Sequence, residues 1–142
     1  MANVMVVDDE AEIRTLLSRW LTAAGHTVTE AADSDAALHA LATADTEVVL
    51  CDVRMPGKDG LWLASEIRRR FPTHGLLFAT GETRLPPAAT LREGVVAYVL
   101  KPFDRQRLLA AVADAAAYHA KAKHKPAPAV TDDALERWLN EE

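Results

Sequence analysis

The stretch Val48-Val49-Leu50-Cys51-Asp52-Val53-Arg54-Met55-Pro56-Gly57 decides the architecture of this chain. Four apolar residues run straight into an aspartate, and a turn follows at once. An uninterrupted apolar run bounded by a turn is the pattern of a strand buried on both faces, as in parallel sheets. Asp52 then stands at the carboxyl end of a central strand, the edge where open parallel sheets bind ligands. A carboxylate there is either a cap for the following loop or a functional group.

Working outward, the same grammar repeats. Val4-Met5-Val6-Val7 is a second buried strand and ends in Asp8, Asp9 and Glu10. Ile13, Leu16, Leu17, Trp20, Leu21 and Ala24 recur at helical spacing and share an inward face, and Gly25 is the natural stop. His26 to Glu30 alternates weakly and predicts a shorter strand. Ser34 or Asp33 caps a helix through Leu38 and Leu41. After the Gly57-Lys58-Asp59-Gly60 turn, a third helix presents Leu63, Ile67 and Phe71 to the core and stops before Pro72. Trp62 falls off that face, and Arg68-Arg69-Arg70 form a solvated helix end that suits the dipole there.

Leu76-Leu77-Phe78-Ala79 is a fourth strand, ending at Thr80-Gly81. Pro86-Pro87 forbids a helix through that point but suits a helix start, so a short helix runs from Pro87 to Arg92. Tyr98-Val99-Leu100 is a fifth strand, ending in Lys101-Pro102. Asp104 caps a last helix that turns Leu108, Leu109, Val112 and Ala116 inward. Five alternations of strand and helix with short connections imply an α/β fold, a parallel sheet with helices on both faces.

The totals agree with one soluble domain and little more. The 142 residues suffice for a single core. A net charge of −5 argues against general affinity for nucleic acid phosphates. The lone cysteine, Cys51, excludes an intrachain disulfide and reads as a small core residue, compatible with the expected cytoplasmic location. No signal peptide is evident at the N-terminus, and no apolar run approaches the ~20 residues of a membrane helix. The five histidines show no metal-ligand spacing.

Composition divides the chain in three. Residues 1–120 form the domain. Residues 121–130 carry a basic run and the stiff Pro126-Ala127-Pro128-Ala129 linker. Residues 131–142 hold a short amphipathic helical tail, with Asp133 and Glu136 as a capping pair and Leu135, Trp138 and Leu139 on one face. A helix this short is marginal alone in water, so Trp138 needs a surface to dock on.

Four strand ends carry chemistry: Asp8 and Asp9, Asp52, Thr80, and Lys101. Carboxylates converging on one edge repel one another unless a cation sits among them, and an all-oxygen donor set with room for water suits Mg²⁺. A lysine and a hydroxyl beside such a site suit a phosphoryl group, and a carboxylate can itself be the nucleophile.

These pieces, in this order, resemble the receiver domain of two-component response regulators: Asp8-Asp9, then Asp52 in D-V-R-M-P-G-K-D-G, Thr80-Gly81, and Lys101-Pro102-Phe103. The resemblance covers roughly residues 3 to 118. It implies a flavodoxin-like, three-layer, doubly wound five-stranded parallel sheet in the order 2-1-3-4-5, with five helices. It implies that Asp52 accepts a phosphoryl group from a histidine of a sensor kinase or histidine phosphotransfer protein. Mg²⁺ would be held by Asp9, Asp52 and the main-chain carbonyl of Arg54, and by Asp8 through water. Lys101 would pair with the phosphoryl oxygens, its bond to Pro102 being cis. Thr80 and Tyr98 would be the switch residues, relaying the new charge to the face that an unidentified output protein reads. The first helix would dock the kinase.

Arg54 and Glu82 fall where the family tunes loss of the phosphoryl group, and an ion pair between them would hinder attacking water. Pro86-Pro87 departs from the commonest pattern and should shorten or move the fourth helix. The charged pattern that one subfamily uses to dimerise is not evident, although a homodimer through the tail remains an expectation. The chain is not expected to be an enzyme on external substrates. Two rivals stand beside this reading. One is the N-terminal receiver of a longer regulator with a separate output domain, such as a DNA-binding one. The other is a phosphatase with an aspartyl nucleophile, whose D-x-D pattern after the first strand is absent here.

Overall fold

The computed structural model describes residues 1–81 and 95–124. Five strands form one parallel sheet: β1 (Asn3–Val7), β2 (Thr27–Ala31), β3 (Val48–Cys51), β4 (Gly75–Thr80) and β5 (Val95–Leu100). Among the described residues four helices connect and flank them: α1 (Ala11–Ala23), α2 (Ser34–Leu41), α3 (Gly60–Arg70) and α4 (Arg105–His124). The strand order is β2-β1-β3-β4-β5, as expected. The helix expected over Pro87–Arg92 lies outside the described residues, as do Glu82, the linker from residue 125 and the tail.

Alternation along the strands builds two cores. Met5, Val7, Val49, Cys51, Leu76 and Phe78 face one way and pack with Leu38 and Leu41 of α2 and Leu63 and Ile67 of α3. Val4, Val6, Val48, Leu50, Leu77, Ala79 and Val99 face the other way and pack with Leu17 and Leu21 of α1 and Leu108, Val112 and Ala115 of α4. All four residues of β3 are buried, which is why its sequence shows no polar alternation. Each fully buried Leu or Val contributes about 1.5–3 kcal/mol by leaving water. β2 is an edge strand, largely exposed, and its sequence alternates weakly for that reason.

Local signals set the helix ends. α1 closes in a Schellman motif: Gly25 has φ +95°, its N–H donates to Thr22 at 3.0 Å, and the His26 N–H donates to Leu21 at 3.0 Å. Asp33 caps α2, accepting from the Ala36 N–H at 2.7 Å, which leaves Ser34 free for another task. Asp59 caps α3 through the Trp62 N–H at 2.9 Å, and Asp104 receives the Gln106 N–H at 2.9 Å. At the end of α3, Arg69 and Arg70 pair with Glu66, and Arg68 donates to the Pro72 carbonyl at 2.8 Å.

Some expected faces shift. Leu16 and Ala24 were expected inward, but Leu16 is 37% exposed and Ala24 is exposed too, because the buried stripe of α1 runs through Leu17 and Leu21, with Ile13 and Trp20 on its flank, and Ala24 lies past its last residue. Trp62 is half-buried against the core, with the Lys58 ammonium 4.7 Å from its ring centre.

Candidate functional site

Register brings the acids together. Val7 pairs with Cys51 across β1 and β3, so the next residues, Asp8 and Asp52, leave the sheet side by side. The Asp52 N–H still donates to the Val7 carbonyl at 3.0 Å, and the Asp8 N–H to Ala31 at 3.2 Å, so the main chain at both acids is held by the sheet. Thr80 pairs with Leu100 at the end of β4 and β5, and Lys101 follows directly. The Lys101–Pro102 peptide bond is cis, as the resemblance implied.

Asp8 and Asp52 are buried, at 1% and 4% exposure, whereas Asp9 and Glu10 face solvent. Carboxylate oxygens of all four lie within 4.8 Å of one another. Lys101 answers this charge. Its Nζ lies 3.2 Å from Asp52 Oδ2, 3.6 Å from Asp8 Oδ2 and 3.7 Å from Glu10 Oε1. Burial alone would lower the pKa of Lys101, but the hydrogen bond to Asp52 and the charges of Asp52, Asp8 and Glu10 together raise it above its ordinary value.

Asp8 carries the opposite strain. Burial, with the charges of Asp52 and Asp9 adding to it, pushes its pKa up from 3.8 to about 6. The Glu10 N–H, which donates to Asp8 Oδ1 at 2.9 Å, and the Lys101 ammonium pull the other way without cancelling the rise. Asp8 therefore does not cap α1: the position before that helix is Glu10, whose side chain makes no capping bond. One lysine against four acids leaves excess negative charge in a partly buried pocket. Hard oxygen donors, one side open to water, fit a small divalent cation such as Mg²⁺.

The remaining expected residues are placed as follows. Arg54 lies on the loop after β3, exposed, and its N–H donates to Asp52 Oδ1 at 3.2 Å. Tyr98 of β5 is half-buried against the core on the α2–α3 side of the sheet. Thr80 contributes the last residue of β4. Glu82 lies outside the described residues, so its pairing with Arg54 does too.

Two participants carried no assigned role in the sequence. Glu10 was visible as a third consecutive acid. Arg14 gave no signal: it reaches back one helical turn and donates from Nη1 to the Asp8 carbonyl at 2.6 Å, with Nε 3.6 Å from Glu30.

The chain matches the response regulator receiver domain family over residues 4–113. It is 37% identical over 122 residues to the DNA-binding transcriptional regulator NtrC of Klebsiella pneumoniae, covering 85% of this chain and 26% of that protein. The chain thus spans about a quarter of the length of the curated relatives it matches. Among solved structures, it resembles the signal receiver domain of an HD domain-containing protein from Pseudomonas fluorescens, with a TM-score of 0.79 and 28% identity, covering 84% of this chain and 98% of that one. It also resembles the response regulator TrrA of Thermotoga maritima, solved in complex with Mg²⁺-BeF, with a TM-score of 0.73 and 29% identity over 80% of this chain and 97% of that one. The match covers most of the chain and every strand end that bears the acidic pocket, and the chain belongs to the response regulator receiver domain family.

Proposed function

We propose that Asp52 accepts a phosphoryl group from a phosphohistidine of a sensor kinase or histidine phosphotransfer protein, and that the modified domain signals through protein contacts. The observation that carries this reading is the approach of Lys101 Nζ to 3.2 Å from Asp52 Oδ2 at the mouth of an acidic, cation-fitting pocket. A carboxylate oxygen of Asp52 attacks phosphorus, the phosphorus–nitrogen bond breaks, and the imidazole leaves with its electron pair. Lys101 is placed to neutralise the phosphoryl oxygens. Asp9, Asp52 and the Arg54 carbonyl would hold Mg²⁺, with Asp8 acting through water. The bound cation supplies charge neutralisation of the phosphoryl oxygens. The Thermotoga relative, whose structure carries Mg²⁺-BeF, supports Mg²⁺ as the cation.

Thr80 and Tyr98 act as the switch pair in this reading, and Arg54 with Glu82 sets how fast water removes the phosphoryl group. The domain works as a regulatory acceptor in the cytoplasm and not as an enzyme that turns over external phosphoesters. Residues 1–120 act as the receiver, 121–130 as linker, and 131–142 as a docking helix.

Incubation with acetyl phosphate and Mg²⁺ tests this. One labile phosphoryl adduct per chain is expected, absent from Asp52→Asn. Equal labelling of the variant would overturn the site, and repeated turnover of phosphomonoesters would favour the phosphatase rival.

A second reading concerns context. The matched stretch is only about a quarter of these curated relatives, which are named DNA-binding transcriptional regulators. The receiver would then work joined to an output domain. The length of the open reading frame decides between the two.

A further inference from the structure

We infer that Ser34 is a positioning residue for the loop after Asp52, its buried hydroxyl fixing the main chain that borders the cation pocket. The inference rests on the phosphoacceptor reading above and names a residue of that site.

Ser34 opens α2, which follows the edge strand β2 and packs beside α3, and it is only 1% exposed. Capping is done by its neighbour Asp33, so the Ser34 hydroxyl is not consumed within its own helix. It donates instead to the carbonyl of Lys58 at 2.8 Å, with the Asp59 carbonyl 3.3 Å away. Those two residues end the loop that begins at Asp52. A hydroxyl has one hydrogen, so Lys58 is the main acceptor.

The rest of the loop is held by the sheet, by the start of α3 and by the core. Asp52 is held by the sheet, and the Gly60 N–H donates to the Val53 carbonyl at 2.8 Å. Val53 and Met55 are buried beneath it. Arg54 sits between these anchors, and its N–H meets Asp52 Oδ1 at 3.2 Å. The second link between α2 and the loop is the Lys58–Asp35 pair at 2.8 Å, which is solvent-exposed and therefore contributes little to order. The buried hydroxyl bond carries the constraint. Losing it loosens the Lys58 end of the loop, and the shift is passed along the chain to the Arg54 carbonyl, which would complete the cation's ligands. Groups that hydrogen-bond a metal ligand typically tune affinity by about ten- to a hundredfold, and Ser34, bonding the same loop at Lys58, falls at the lower end.

The test titrates Mg²⁺ calorimetrically into the full chain, with no phosphodonor present. Ser34→Ala should weaken Mg²⁺ binding about tenfold. Ser34→Cys keeps the volume, replaces a strong donor by a weak one, and should show the same direction if alanine does not fold. Ser34→Thr restores a hydroxyl and should return affinity toward wild type. Leu21→Ala serves as control: it is fully buried in the other core, on the face of the sheet away from Val53 and Met55, so its loss weakens the fold from the opposite side. It should leave Mg²⁺ affinity unchanged. Folded Ser34→Ala or Ser34→Cys with wild-type affinity overturns the inference, as does an equal loss in Leu21→Ala. Wild-type protein that binds no Mg²⁺, or takes no phosphoryl group from acetyl phosphate, overturns the functional reading itself.

Discussion

Lys101 Nζ and Asp52 Oδ2 stand 3.2 Å apart, joined from the ends of β5 and β3, two strands that are not neighbours in the sheet. The pair spans the pocket mouth, so the lysine already occupies space where phosphoryl oxygens would arrive. Its removal has two opposite effects. Lys101→Met takes away a competing cation, so Mg²⁺ should bind more tightly. It also takes away the charge that meets the incoming group, so labelling by acetyl phosphate should slow by roughly 10²-fold. Calorimetry and timed mass spectrometry on the same variant measure the two separately. Tighter Mg²⁺ binding with undiminished labelling would remove Lys101 from the chemistry.

Asp8 gives a stability prediction. Its folded pKa is raised to about 6 from 3.8, so at neutral pH the folded state holds a buried charge at a cost that the unfolded state escapes. That cost is present above pH 6 and is relieved as pH falls through 6 toward 3.8. Asp8→Asn should therefore stabilise the cation-free protein near neutral pH by up to about 3 kcal/mol. The gain should shrink toward the lower value. Urea unfolding at both ends of that window reads it. Added Mg²⁺ should stabilise the wild type more than the variant.

Much of this pocket was legible because the fold places chemistry at strand ends, and buried strands announce themselves as apolar runs. Asp8, Asp52 and Lys101 each follow such a run directly. Their adjacency was not legible from periodicity. It required the strand order 2-1-3-4-5, which the family resemblance supplied. Arg14 stayed hidden because its bond to the Asp8 carbonyl depends on the phase of α1 relative to β1, and a charged residue near a helix start has many other uses. Leu16 was read inward for a related reason: helical spacing identifies a stripe but not its width. Ser34 and Asp33 were equivalent as caps in sequence, and only the three-dimensional path of the Lys58–Asp59 turn separates their roles.

Gly60 tests how tightly α3 is pressed on the strand end that bears Asp52. A Cβ at this position would stand 2.2 Å from the Asp52 carbonyl oxygen and 2.8 Å from the Val53 Cα, both main-chain atoms that cannot swing aside. Gly60→Ala must push α3 outward or bend the chain at Asp52. A loss of about 1–3 kcal/mol is expected from the overpacking. Because the displaced atoms belong to Asp52 and Val53, Mg²⁺ affinity should fall as well. Gly57→Ala is the contrast. Nothing lies within 4 Å of its Cβ, so its effect comes from its φ of +74° alone. Denaturant unfolding beside Mg²⁺ titration separates the two. Equal Mg²⁺ affinity in Gly60→Ala and wild type would show that the loop absorbs the strain.

His74 sets an acid limit at the opposite edge of the sheet, just before β4. It is buried, with neither ring nitrogen hydrogen-bonded among the described residues. Its ring stacks on Phe71 at 5.3 Å and meets the edge of His119 at 6.0 Å, while His119 donates from Nδ1 to the Thr73 carbonyl at 2.9 Å. Burial, helped by the neighbouring His119 and opposed by Asp45, lowers the pKa of His74 from 6.5 to about 4. The folded state thus binds this proton less readily than the unfolded state. The stability tied to neutral His74 is complete above pH 6.5 and is lost progressively as pH falls from 6.5 through 4, by up to about 3 kcal/mol. This runs against the contribution of Asp8, so the wild-type profile alone would blur both. His74→Phe keeps an aromatic ring against Phe71 and removes the titration. Its stability relative to wild type should rise steadily as the solution is acidified across that window, read by urea unfolding at several pH values. A constant difference between the two proteins from pH 6.5 to 4 would mean that His74 keeps an ordinary pKa in the folded chain.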